Sequence, residues 1–188
     1  MPSIDISFLK LLQDDYKKFP CLIETGTLMG QTTFALEPYF DKIHTIEISQ
    51  NYHNKAKQGY AGDKINFILG DSSVVFESLL PTVNTNCIFF LDGHWSSGDT
   101  GRGAKDCPLN EEIEHINNLF QHEAIIIIDD FRLFGLDARS GKLCEDWSKI
   151  NKDNLLNILK SRITKVYHLD SEIAKDDRLI IHIQSRSV

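Results

Sequence analysis

The 188 residues contain no run of Lys or Arg, no CxxC pair, no internal repeat, no low-complexity tract and no long apolar stretch. Each absence excludes something. The longest apolar run, Ala124 to Ile128, is far too short to span a bilayer. The first ten residues, MPSIDISFLK, carry charge and no extended apolar segment, so no secretory signal is expected and the chain reads as cytoplasmic. Lys plus Arg total 20 against 27 Asp plus Glu, a formal charge of -7. A net-acidic chain without a basic run is a poor candidate for nucleic-acid or anionic-membrane binding. It leaves room for a small anionic substrate held by local cations. The cysteines at 21, 87, 107 and 144 are scattered, which suits free thiols in a reducing compartment better than disulfides or a zinc site.

What is present is ordinary for one globular domain spanning residues 1–188: 41% hydrophobic and 25% charged residues, too little chain for two sizeable cores. Short apolar runs alternate with helix-like stretches, the pattern of βαβ units. A first helix is predicted over residues 3–18. Strands follow at Cys21–Glu24, Lys42–Ile48, Ile65–Leu69, Cys87–Leu91 and Ala124–Ile128. Helices are predicted from about Met29 to Leu36, after Ile48 to about Tyr60, from Asp71 through Leu80, after Pro108, and near Asn154–Lys160. Two last strands, near Ile163–Leu169 and Arg178–Gln184, read as an antiparallel hairpin. The expectation is an α/β, Rossmann-like, doubly wound and mostly parallel seven-stranded sheet with helices on both faces. Two long irregular segments, 93–107 and 131–149, interrupt it, and loops of that length are usually functional or disordered.

In open parallel sheets ligands bind outside the carboxyl ends of the strands. Here those ends carry Glu24-Thr25-Gly26, Glu47, Gly70-Asp71, Asp92-Gly93-His94 and Asp129-Asp130. Any single acid there is most simply an N-cap or a solvated loop residue. Together they would repel one another unless cations or hydrogen-bond donors sit among them. The first turn, ETGTLMG, has glycines at 26 and 30 that let a ligand approach the backbone. A dinucleotide GxGxxG fails because positions 28 and 31 are Leu and Gln, and a P-loop fails for want of GK[ST]. Glu47 stands 21 residues beyond Gly26, where an acid can accept hydrogen bonds from ribose hydroxyls.

The ordered series ETGTLMG, TIEIS, ILGDS and FFLDGH resembles the motifs of class I S-adenosylmethionine-dependent methyltransferases, over most of the chain from about Cys21 onward. The resemblance implies that Glu24, Gly26, Thr27 and Gly30 surround the methionine part of S-adenosylmethionine. It implies that Glu47 holds ribose, that Asp71 and Ser72 contact adenine, and that Asp92 also belongs to the cofactor-binding set. Asp92 with Asp129-Asp130 looks like the magnesium set of metal-dependent O-methyltransferases of the catechol and macrolide-sugar types. The catechol-type lysine is absent from DGHWS.

A Mg²⁺ on Asp92, Asp129 and Asp130 would lower the pKa of an acceptor hydroxyl. His94 is the candidate general base, with Asp92 as the alternative. Trp95 could wall the acceptor pocket. The expected partner is a small hydroxylated molecule such as a sugar, with a homodimer left open. Two other readings compete: a nicotinamide-dependent oxidoreductase, and a non-catalytic nucleoside-binding module.

Overall fold

Seven strands pair into one sheet in the order β3-β2-β1-β4-β5-β7-β6. They are β1 (Cys21–Thr25), β2 (Lys42–Glu47), β3 (Ile65–Leu69), β4 (Cys87–Leu91), β5 (Ala124–Ile128), β6 (Ile163–Leu169) and β7 (Arg178–Ile183). The computed structural model describes residues 1, 3–137 and 145–186. Strands β1 to β5 run parallel, and β7 lies antiparallel between β5 and β6. This is the doubly wound sheet with a closing hairpin expected from the sequence.

The central strands form for a simple reason. β5 is AIIII and β4 is CIFFL, and all ten residues are buried. Strand side chains alternate between faces. Ile126 and Ile128 therefore join Phe89 and Leu91 on one side, while Ile125 and Ile127 join Ile88 and Phe90 on the other. A strand covered on both faces has no polar positions to spare. Truncating Ile126 to Ala would cost about 2–5 kcal/mol.

Among the described residues six α-helices cover the sheet: α1 (Ile6–Leu9), α2 (Gln31–Leu36), α3 (Gln50–Lys57), α4 (Ser72–Leu79), α5 (Leu109–Leu119) and α6 (Lys152–Leu159). Helix α5 buries Leu109, Ile113 and Ile116 at helical spacing, and α6 buries Leu155 and Leu159 beside them. Helix α1, α2 and the turn at Phe40 supply Leu9, Leu36 and Phe40 to the opposite face. None of the described helices is long and apolar enough to cross a membrane.

Several boundaries differ from the sequence reading. The first helix is not continuous over 3–18: α1 ends at Leu9, and a separate 3-10 turn spans Tyr16–Lys18. Aspartates start both pieces, Asp5 accepting from the Ser7 and Phe8 N–H groups and Asp15 from that of Lys17. Such side-chain bonds compete with helix continuation. Helix α2 starts at Gln31 rather than Met29 because Gly30 is left-handed, φ +75°. Helix α3 stops at Lys57, short of Tyr60. Cys21, Cys87 and Cys107 are buried free thiols, while Cys144 lies outside the described residues, as does part of segment 131–149.

Candidate functional site

Strands β1 and β4 are neighbours although β2 and β3 separate them in sequence. At such a reversal point, the crevice beyond the strand ends is where doubly wound sheets bind ligands. A cavity of about 320 Å³ opens there. Gly26 and Asp92 meet at its floor. Gly26 has φ +85°, and a Cβ on it would stand 2.5 Å from the Asp92 carbonyl oxygen. Any side chain would push the two strand ends apart, so glycine is required by contact as well as by conformation.

One end of the cavity is lined by Glu47, Ile48, Tyr52, Asp71 and Ser72. Glu47 is buried, and its carboxylate accepts from the Leu28 N–H at 2.8 Å and the Ser49 N–H at 2.8 Å. These bonds fix its orientation, and each oxygen keeps a lone pair for a vicinal diol. The first bond also holds Leu28 at φ 48°, an unusual conformation for this residue. Asp71 caps α4 through one oxygen, which accepts from the Ser73 N–H at 3.0 Å and the Ser73 hydroxyl at 2.6 Å.

At the other end stand Ser3, Asp92, His94, Trp95, Asp130 and Ile173. His94 lies between two acids, its Nδ1 3.6 Å from Asp92 Oδ1 and its Nε2 3.3 Å from Asp130 Oδ2. The Trp147 ring meets the imidazole edge-on, with centroids 4.9 Å apart. Asp130 sits in the left-handed region at φ 59°, which re-aims its carboxylate after β5. Burial, together with the charges of Asp129, Asp130 and Glu24, pushes the Asp92 carboxyl well above the usual carboxylate range, against the pull of Arg178.

The repulsion expected among these acids is relieved by arginines. Arg178 Nε, on β7, is 3.2 Å from Asp129 Oδ1. Arg132 bridges Asp130 and Asp177 at 2.5 Å each. Both cations come from positions the strand-end pattern did not single out. Asp92, Asp129 and Asp130 do not gather as one ligand cluster. Among the described residues, the donor atoms that lie within 4.8 Å of one another belong to Asp92, His94 and Asp130, or to Asp129, Asp130 and Asp177.

Of the residues assigned to the methionine part of a cofactor, Gly26 lines the cavity, whereas Glu24, Thr27 and Gly30 do not. Glu24 is turned into the sheet. Its carboxylate accepts from the Thr45 hydroxyl at 2.6 Å and from that of Thr33. Burial, with the Glu47 charge adding to it, raises its pKa to about 7 against those two donors. Thr27 is likewise buried, with its hydroxyl 2.6 Å from that of Thr45. These residues build the floor under the turn instead of presenting groups to a ligand. Ser3, Tyr52 and Ile173 line the cavity although the strand-end pattern did not mark them. They come from the N-terminal segment, from α3 and from the β6–β7 turn, and no local motif marks them.

No family model and no curated protein sequence matches the chain. Solved structures do, at the level of the whole fold. A Listeria monocytogenes protein described as an S-adenosylmethionine dependent methyltransferase superposes with a TM-score of 0.61 at 14% identity, over 96% of this chain and 97% of that one. The fold is that of the S-adenosylmethionine-dependent methyltransferases. Magnesium protoporphyrin IX methyltransferase from Synechocystis, with S-adenosylhomocysteine bound, gives a TM-score of 0.57 at 13% identity, over 95% and 80% of the chains. The N-methyltransferase NodS from Bradyrhizobium japonicum gives 0.53 at 11% identity, over 89% and 86%.

Proposed function

We propose that this chain is an S-adenosylmethionine-dependent methyltransferase acting on a hydroxyl of a small molecule. One observation carries the reading: a single cavity joins the Glu47–Asp71 end, suited to a nucleoside, to the Asp92–His94–Asp130 end, suited to proton removal. Methyl transfer from a sulfonium is an in-line displacement, so the protein must align the acceptor oxygen with the methyl carbon and take up its proton. Glu47 would hold the ribose diol. Asp71 and Ser72, at the start of α4, would meet the adenine. Gly26 and the Asp92 backbone leave room for the methionine part between β1 and β4.

His94 is the proton acceptor in this reading. Asp130, 3.3 Å from Nε2, orients the ring and stabilises the imidazolium once formed. The other nitrogen, facing Asp92 at 3.6 Å, is beyond hydrogen-bond distance from it and is available to the acceptor hydroxyl. Asp92, whose carboxyl is pushed up by burial and by the neighbouring acids, stands at the same end of the cavity as the alternative proton acceptor.

Magnesium assistance, implied by the resemblance, does not fit these donors. Mg²⁺ favours all-oxygen coordination. The set at the acceptor end, Asp92, His94 and Asp130, includes an imidazole, and in the all-carboxylate set Asp129 is already paired with Arg178 while Asp130 and Asp177 are paired with Arg132. No step in this mechanism passes through a metal.

The test is incubation with methyl-labelled S-adenosylmethionine and a panel of polyhydroxylated small molecules. Label should move to an oxygen of at least one of them, and His94→Ala should slow it about 10²- to 10⁴-fold. Transfer to nitrogen would keep the cofactor reading and overturn the acceptor class.

A further inference from the structure

The 93–107 segment is irregular, but it is braced. The Thr100 hydroxyl donates to the Ser97 carbonyl at 2.7 Å. The Arg102 guanidinium lies over the Trp95 ring, 4.3 Å from its centroid, and its Nε donates to Asp106 at 2.6 Å. The Trp95 N–H donates to the Asp106 carbonyl at 2.7 Å. The buried Asp106 side chain also accepts the Asp146 N–H at 3.1 Å, which fastens the base of the loop to the rest of the molecule.

The far part of this unit reaches across the nucleoside end of the cavity. The Tyr52 hydroxyl, on α3, donates to Asp99 at 2.9 Å. Gly101 lies against Ile48 and Ser49, just beyond β2, and Gly103 lies against the Asp71 carboxylate. A Cβ on Gly103 would displace the Asp71 carboxylate, and one on Gly101 would meet the Ser49 backbone nitrogen as well as the Ile48 side chain. The loop therefore roofs Asp71 and Ile48, while its first residues, His94 and Trp95, wall the opposite end.

We propose that the 93–107 loop is a lid over the cofactor and that Tyr52 is its positioning residue. Gly101 and Gly103 form the seat, and the Tyr52–Asp99 hydrogen bond is the latch. This rests on the reading of the Glu47–Asp71 end as a nucleoside site. Because Gly103 packs against the Asp71 carboxylate, lifting the loop opens the Asp71 side of the cavity further to the nucleobase. Because His94 rides on the same loop, seating the lid over bound cofactor also brings the proton acceptor into place. Tyr52 thus acts on the acceptor end through the loop without touching it.

The test is the dissociation rate of S-adenosylhomocysteine from the full chain, followed by displacement with excess unlabelled compound. Tyr52→Phe removes only the hydroxyl and Asp99→Ala only its acceptor; each should speed release roughly 3- to 10-fold, the worth of one hydrogen bond. The double variant should add nothing, since both remove the same interaction. Asp99→Asn keeps an acceptor oxygen and should restore a near-wild-type rate. Gly101→Ala, whose Cβ would meet the Ser49 backbone nitrogen and the Ile48 side chain, should speed release by unseating the loop. Wild-type rates in both Tyr52→Phe and Asp99→Ala would overturn the lid while leaving the cofactor reading intact. Failure of the wild-type chain to bind S-adenosylhomocysteine at all would overturn the cofactor reading, and the lid with it.

Discussion

Arg178 on β7 reaches across to β5 and places its Nε 3.2 Å from Asp129 Oδ1, with both side chains nearly buried. The same guanidinium donates to the Ser3 carbonyl at 2.5 Å and to the Asp170 carbonyl at 3.3 Å, and lies over the Phe8 ring. One side chain therefore ties the N-terminal segment and the closing hairpin to the acidic edge. Arg178→Met leaves Asp129 unpaired in a buried setting. Losing one partner of such a pair costs about 3–5 kcal/mol. Urea unfolding should register that loss, and an Asp129→Asn, Arg178→Met double variant should recover part of it.

Stability should fall as pH rises through neutrality. Burial lifts Glu24 from 4.5 to about 7. It lifts Glu112, on α5 beneath Gly93, to about 7 as well. A carboxyl raised on folding keeps its proton in the folded chain where the unfolded chain has lost it. Its contribution is fully present below pH 4.5 and is lost as pH climbs through 7. Each group accounts for about 3 kcal/mol of that loss. The urea midpoint of the wild type should drop between pH 5 and pH 8, and Glu24→Gln or Glu112→Gln should each remove part of the drop. Identical drops in all three chains would contradict the assignment.

Most of the sheet was legible because β4 and β5 are unbroken apolar runs that admit no other element at that length. The site was legible where it depends on topology alone: parallel strands bring Glu47, Asp71, Asp92 and Asp130 to one edge whatever the side chains do. It was not legible where it depends on the direction a side chain takes. Glu24 reads as a strand-end acid, yet Thr33 from α2 and Thr45 from β2 capture it inside the sheet. Nor could sequence order place Arg132 and Arg178 beside Asp130 and Asp129. Short-range pattern sets which edge is acidic, and long-range contact decides what neutralises it.

His94→Ala should lower kcat about 10²- to 10⁴-fold with any acceptor that turns over, the usual contribution of a general base. Affinity for S-adenosylhomocysteine should stay within experimental error, since His94 stands at the acceptor end. Asp130→Asn should give a smaller loss, because it removes the orienting charge but keeps the imidazole. Equal losses of affinity and turnover would point to a structural role.

Chelation separates the arginine-balanced site from a metal-dependent one. Transfer should continue after exhaustive dialysis against EDTA and should not rise on adding Mg²⁺. A rate that vanishes with EDTA and returns with Mg²⁺ would mean that Asp92 and Asp130 rearrange around an ion.

The central claim is that the β1–β4 crevice binds S-adenosylmethionine through Glu47. Titration calorimetry with S-adenosylhomocysteine tests it without knowledge of the acceptor. The account predicts saturable binding to one site per chain, weakened roughly 10- to 100-fold in Glu47→Ala by the loss of charged hydrogen-bond acceptors. No binding by the wild-type chain, or equal binding by Glu47→Ala, would contradict it.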